Sequence, residues 1–276
     1  MNRNVIKKLF LLVLFIPHLI QAEIVEVHTM NQVDNVTSTA DHDTLVVFDI
    51  DNTLIIPANP AFQIPNVLDN KHLLAEFKKK WCVDQKRIAT NLMALTSESK
   101  PLDLFASRLL KSLQDRDIPV IALTATLAEC DDVITDTLSR RKHQLGMNGF
   151  DMSPTAPSTC PVIFDDLKPY FDTYPLTQHG VICSNGDENT KGEVLAEYFR
   201  LIGWYPKKVI FVDDSKVQVE SMIEPMERLG IEFIGIHFRG IDHFIGDPID
   251  EADFLKAWQD IDEKSFRILD TKKQKI

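Results

Sequence analysis

Apolar runs of four or five residues recur along this chain, separated by longer stretches in which apolar residues return every three or four positions. Leu45-Val46-Val47-Phe48 is apolar without a break, as a strand covered on both faces must be, and Asp49 and Asp51 follow it at once. Val120-Ile121-Ala122-Leu123 ends in Thr124-Ala125-Thr126, and Gly180-Val181-Ile182-Cys183 in Ser184-Asn185-Gly186-Asp187. Lys208-Val209-Ile210-Phe211-Val212 ends in Asp213-Asp214-Ser215, and a fifth run covers Ile231–His237. Helical spacing fills the intervals. One stripe carries Leu74, Phe77 and Trp81, another Ile88, Leu92 and Leu95. Further helices are predicted over Leu102–Gln114, from Leu127 to about Gln144, over Thr190–Ile202 with Lys191 at the start, from Ser215 to about Leu229, and over Glu251–Phe266.

Strands alternating with helices predict an α/β fold, a doubly wound parallel sheet. Pro57, Pro60 and Pro65 keep Ile56–Pro65 from being helical. Residues 23–43, polar and mixed, read as a lead-in segment, and Gly146–His179, rich in Pro, Thr, Asp and aromatics, receives no regular element. No internal repeat or low-complexity tract is present.

The first residues break the pattern. Arg3, Lys7 and Lys8 precede Leu9–Ile16, then Pro17 and a Gln21-Ala22 ending. A basic start, an apolar run too short to span a bilayer and a small residue at the end predict a signal peptide over 1–22, with a periplasmic or secreted mature chain starting at Glu23. Ile20 departs from the small-x-small cleavage pattern, so an uncleaved anchor is the competing reading. The mature chain holds 27 Lys and Arg against 41 Asp and Glu, about −14 in all, which argues against nucleic acid or anionic lipid as partner and leaves no membrane attachment once the signal is gone. Export permits one or two disulfides among Cys82, Cys130, Cys160 and Cys183, with three full pairings open. Cys183, on an apolar strand, equally suits a buried thiol.

In a parallel sheet the carboxyl ends of the strands open on one crevice, so Asp49, Asp51, Thr124, Asp213 and Asp214 can meet there, with Lys191 opening the helix just before the fourth strand. Two aspartates one residue apart repel, and a divalent cation offsets that. Each piece has a plainer reading alone: Asp51-Asn52 as an Asx turn, Thr124 as a strand end, Lys191 as a solvated helix residue, Asp213-Asp214-Ser215 as a helix cap. His237 and His243 have no third partner in phase to make a metal site.

Phe48-Asp49-Ile50-Asp51-Asn52-Thr53-Leu54, Leu123-Thr124-Ala125, Lys191 and Val212-Asp213-Asp214-Ser215 together resemble, in order, the four motifs of the haloacid dehalogenase (HAD) superfamily. More narrowly, Gly180–Leu195, with Asn189-Thr190-Lys191-Gly192-Glu193-Val194-Leu195, and the export signal look like an uncharacterised bacterial branch known as a domain of unknown function. Thr126 departs from that branch, where the pattern has arginine. The resemblance implies a HAD-like core over 23–55 and 102–276 with a small helical cap inserted at 56–101. It also implies a Mg²⁺-dependent phosphatase of a small phosphorylated substrate. Asp49 would be the nucleophile and Asp51 the acid and base, with Thr124 and Lys191 on the phosphoryl oxygens. The metal would lie between the Asp49 carboxylate, the Asp51 backbone carbonyl and Asp213. The competing expectation is a non-catalytic HAD-fold protein that binds a phosphorylated ligand or a protein partner. A phosphotransferase is a third.

Overall fold

The computed structural model describes residues 22–128, 136–186 and 188–274. The expected signal peptide therefore lies outside the described residues apart from Ala22, as do Cys130, Asp187 and part of the helix expected from Leu127.

The lead-in segment is part of the fold. β1 (Ala22–Val27) is an edge strand, and α1 (Met30–Thr37) follows it. Thr29 and Gln32 form a reciprocal capping box at the start of α1. β1 is paired along one edge only and sets two exposed acidic residues, Glu23 and Glu26, among its apolar ones, and that mixed composition hid it in the sequence.

β2 (Thr44–Phe48) is wholly buried, and the chain then turns sharply, with Asn52 in the left-handed region at φ 62°. An insertion follows: β3 (Ile55–Pro57), a 3-10 turn at Pro60–Phe62, α2 (Ile64–Asp69), α3 (Lys71–Lys80), α4 (Val83–Thr96) and β4 (Ser99–Pro101). β3 and β4 pair antiparallel as its stem. The three prolines do not keep this stretch free of helix, because Pro65 sits in the first turn of α2, where a missing N–H costs nothing.

α5 (Ala106–Asp115) leads to β5 (Val120–Thr124), and α6 runs over Thr137–Met147, capped by Asp136. The expected start at Leu127 is wrong: residues 125–128 are irregular and bend back into the site. β6 (Val162–Ile163) and β7 (Leu176–Gln178) are short antiparallel additions in the segment given no element. β8 (Val181–Cys183), α7 (Lys191–Ile202) and β9 (Lys208–Asp213) match expectation closely. The helix expected after Ser215 is two short helices, α8 (Lys216–Glu220) and α9 (Ile223–Leu229), followed by β10 (Glu232–Phe238) and α10 (Glu251–Gln274).

The result is the expected α/β architecture, an eight-stranded sheet in the order β1-β10-β9-β2-β5-β8-β7-β6, parallel from β1 to β8. Alternation along the central strands sends Val46, Phe48, Val120 and Ala122 to one apolar layer under α1 and α5. Leu45, Val47, Ile121 and Leu123 go to the other, under α7, α8 and α9. A third apolar cluster is separate. Leu74, Trp81, Ile88, Leu92 and Leu95 of the insertion pack on Phe254, Trp258, Ile261 and Leu269 of α10. The expected division gives α10 to the core, whereas its apolar face completes the insertion, with Trp258 Nε1 donating to Ala61 O at 2.9 Å and Trp81 Nε1 to Asp262.

Candidate active site

Three adjacent strands, β9, β2 and β5, end side by side, and the polar residues that close them meet there. Asp49 continues β2 by one ladder bond, its N–H donating to Val212 O at 2.8 Å, and Asp213 is the last residue of β9. α7 aims its first residue at both. Thr190 caps that helix through the Glu193 N–H, so the chain turns at Lys191 and sends the side chain inward. Lys191 Nζ donates to Asp49 Oδ1 at 2.6 Å and Asp213 Oδ2 at 2.7 Å. Gly192 makes this approach possible, since a Cβ there would lie 2.2 Å from Ser221 O.

Carboxylate oxygens of Asp49, Asp213 and Asp214 lie within 4.8 Å of one another. Burial pushes the Asp49 pKa well above the ordinary value; Lys191 pulls it down and the other aspartates push it up. Burial likewise raises Asp214 to about 7, reinforced by Asp213. Burial works against the Lys191 charge, but Asp213 and Asp49 outweigh it and hold the ammonium protonated. Three carboxyl groups thus sit beside one ammonium; fully ionised they would carry a surplus of two negative charges among hard oxygen donors, which the raised pKa values of Asp49 and Asp214 resist. That is the donor set and charge a cation such as Mg²⁺ or Ca²⁺ takes.

Asp51 turns the other way. Its carboxylate accepts from Thr124 Oγ1 at 3.3 Å and from Arg141, Nη1 to Oδ1 at 3.0 Å and Nη2 to Oδ2 at 2.5 Å. Thr124 and Thr126 hydroxyls are 2.8 Å apart. The Arg141 guanidinium, from α6, also donates to Thr126, the position at which this chain departs from the arginine of the branch pattern. All these groups line one cavity of about 400 Å³, roofed by Lys86, Thr90 and Asn91 of α4.

The structure therefore brings together Asp49, Asp51, Thr124, Lys191 and Asp213, and the Asp51 side chain lies outside the three-carboxylate cluster. Sequence reasoning left Asp214 without a role and missed Arg141, which in Ser139-Arg140-Arg141-Lys142 reads as part of a solvated basic face. His237 and His243 lie away from the site: His237 faces Glu26 at 3.4 Å, and His243 meets His28 at 3.2 Å. Cys183 is a buried free thiol, its pKa raised to about 12 by burial, and Cys82 and Cys160 are exposed and free.

The fold and site define an α/β protein with an acidic, lysine-bridged centre at the carboxyl edge of its sheet. The chain belongs to the family described as "Protein of unknown function (DUF2608)", whose profile matches residues 26–265. It is 24% identical over 257 residues to an "Uncharacterized protein" of Rickettsia bellii (strain RML369-C), covering 86% of this chain and 84% of that one. It is 24% identical over 265 residues to "Uncharacterized protein RP296" of Rickettsia prowazekii (strain Madrid E), covering 91% and 92%. Among solved structures it is similar to "Hydrolase, haloacid dehalogenase-like family protein SP0104 from Streptococcus pneumoniae", with TM-score 0.39 and 13% identity over 70% of this chain and 93% of that one. Among the described residues no helix is long and apolar enough to cross a membrane.

Proposed function

We propose that this chain is a HAD-type phosphatase, an exported, Mg²⁺-dependent hydrolase of small phosphomonoesters that works through a phosphorylated Asp49. The observation that carries the reading is the cluster of Asp49, Asp213 and Asp214 at the ends of β2 and β9, with Lys191 bridging the first two. A structural ion pair needs one carboxylate for one ammonium, and ionising all three carboxyl groups in this site is costly unless a cation offsets their charge. The cation, held by these carboxylates and, as the resemblance implies, the Asp51 carbonyl, would supply positive charge for the phosphoryl group.

The chain's own residues do the rest. An Asp49 carboxylate oxygen attacks phosphorus, the ester P–O bond breaks, and the Asp51 side chain gives its proton to the leaving oxygen. Asp51 then takes a proton from the water that hydrolyses the acyl phosphate, which restores Asp49. Lys191 and Thr124 hold phosphoryl oxygens and stabilise their charge in the transition state. α4 roofs the cavity and limits the water that reaches the acyl phosphate. Export rests on the basic-then-apolar start of the sequence, Arg3 to Ala22. The test is a screen of the purified chain from Glu23 onward across phosphate esters, with Mg²⁺ and with a chelator. Turnover that depends on the metal supports the reading, and a chain inert toward every ester removes it.

A further inference from the structure

Arg141 is fully buried, with 0% of its side chain exposed, directly beneath the cavity it lines. A guanidinium has five N–H donors, and here each has an acceptor inside the protein. Nε donates to Thr126 Oγ1 at 3.0 Å, and Nη1 to Asp51 Oδ1 at 3.0 Å and Gln144 Oε1 at 3.2 Å. Nη2 donates to Asp51 Oδ2 and to Thr126 Oγ1, both at 2.5 Å. No donor is left for an incoming anion, which decides between two uses of the residue. It is a brace for Asp51 and not a hook for substrate.

The brace has an anchor. Gln144, one turn further along α6 and also buried, accepts from Arg141 with its oxygen and donates with Nε2 to Ala94 O at 2.8 Å and Ser97 O at 3.0 Å. Ala94 is in the last turn of α4, whose carbonyls have no partner within their own helix, and Gln144 supplies one. Arg140 adds bonds to Leu95 O at 2.7 Å and Ser97 O at 3.2 Å. An unbroken path of hydrogen bonds thus runs from the end of the roofing helix through Gln144 and Arg141 to both oxygens of Asp51. Without it, that carboxylate, 34% exposed, would keep Thr124 at 3.3 Å and be free to rotate. Stability is a poor account of such an arrangement, because a buried ion pair contributes little over an apolar replacement of the same size.

We infer that Arg141 and Gln144 are positioning residues that fix the orientation of the Asp51 carboxylate at the floor of the cavity and tie it to the seating of α4. The kinetic consequence rests on the phosphatase reading; the orientation of Asp51 has a readout of its own.

The experiment compares wild type, Arg141→Lys, Gln144→Leu and Asp51→Asn, and each of the first two substitutions combined with Asp51→Asn. A small aryl phosphate is the substrate, and thermal melts confirm folding. Misplacing a reacting group by about 1 Å costs up to about 10²-fold, so Arg141→Lys and Gln144→Leu should each lower kcat by about tenfold or more, with KM within about twofold. In the Asp51→Asn background neither should lower kcat further, since both act through Asp51. The ¹³C resonance of the Asp51 carboxyl, assigned by its absence in Asp51→Asn, should move in Gln144→Leu although Gln144 does not touch Asp51. Losses that multiply with that of Asp51→Asn, or an unmoved resonance, would overturn the assignment. If the wild type turns over no ester, the phosphatase reading falls and the resonance alone decides whether Gln144 and Arg141 position Asp51.

Discussion

At the scale of single residues the site is a problem of charge. Asp214, raised to about 7 by burial and by Asp213, holds a proton in the fold that an unfolded chain, with its carboxyl at 3.8, has given up. Between those values the folded state binds more protons, so its stability falls as pH rises from about 4 through about 7 when no metal is bound. Saturating Mg²⁺ should remove that loss by offsetting the charge of the ionised cluster. Melting temperature against pH, with Mg²⁺ and with chelator, checks this; identical curves would show that no cation binds there. Asp213→Ala should then raise the Mg²⁺ concentration needed for activity and abolish the metal-dependent gain in melting temperature. Asp51→Asn should lower kcat about 10²–10⁴-fold for an alkyl ester, since a proton must reach the leaving oxygen, and less in the first step for an activated phenol. Equal losses for both leaving groups would deny Asp51 its role.

Among elements, α7 matters most because its first residue is the one that bridges Asp49 and Asp213. Gly192→Ala would drive a methyl into Ser221 O and the Pro225 ring, which lie 2.2 and 2.9 Å from an added Cβ. Overpacking of that kind costs about 1–3 kcal/mol and would shift Lys191 with it, so denaturant midpoint and activity should fall together. α7 was legible in advance because its apolar residues keep a helical period from Val194 onward, and the Thr190–Glu193 capping box of the structure fixes where it starts. β2, β5 and β9 were legible for a similar reason: strands covered on both faces are apolar throughout. β1 was not, since exposed Glu23 and Glu26 interrupt its apolar residues. α6 was misplaced at its start because Leu127 and Ala128, which continue the helical period, are buried by the bend that follows β5. Arg141 escaped notice with it. A basic run on a helix carries no mark of which member points inward until the fold supplies Asp51 and Thr126.

Taken whole, the molecule is a sheet with two helical layers and a helical roof completed by α10. The closing contribution of α10 could not be read in advance, because an amphipathic helix near the end of a chain has no period that names its partner. Trp258, 2% exposed and stacked on Trp81 at 6.2 Å between ring centres, joins the two parts of the roof. Trp258→Ala should therefore cost about 3–5 kcal/mol by denaturation. The central claim is that Asp49 becomes phosphorylated, and the direct measurement is mass spectrometry of the Asp51→Asn chain mixed rapidly with an aryl phosphate and Mg²⁺. Without its base this variant should release a burst of phenol and stall with one phosphate on the peptide that contains Asp49, and Asp49→Asn should show neither. Turnover with no phosphate trapped on Asp49, or phosphate on another residue, would contradict the account.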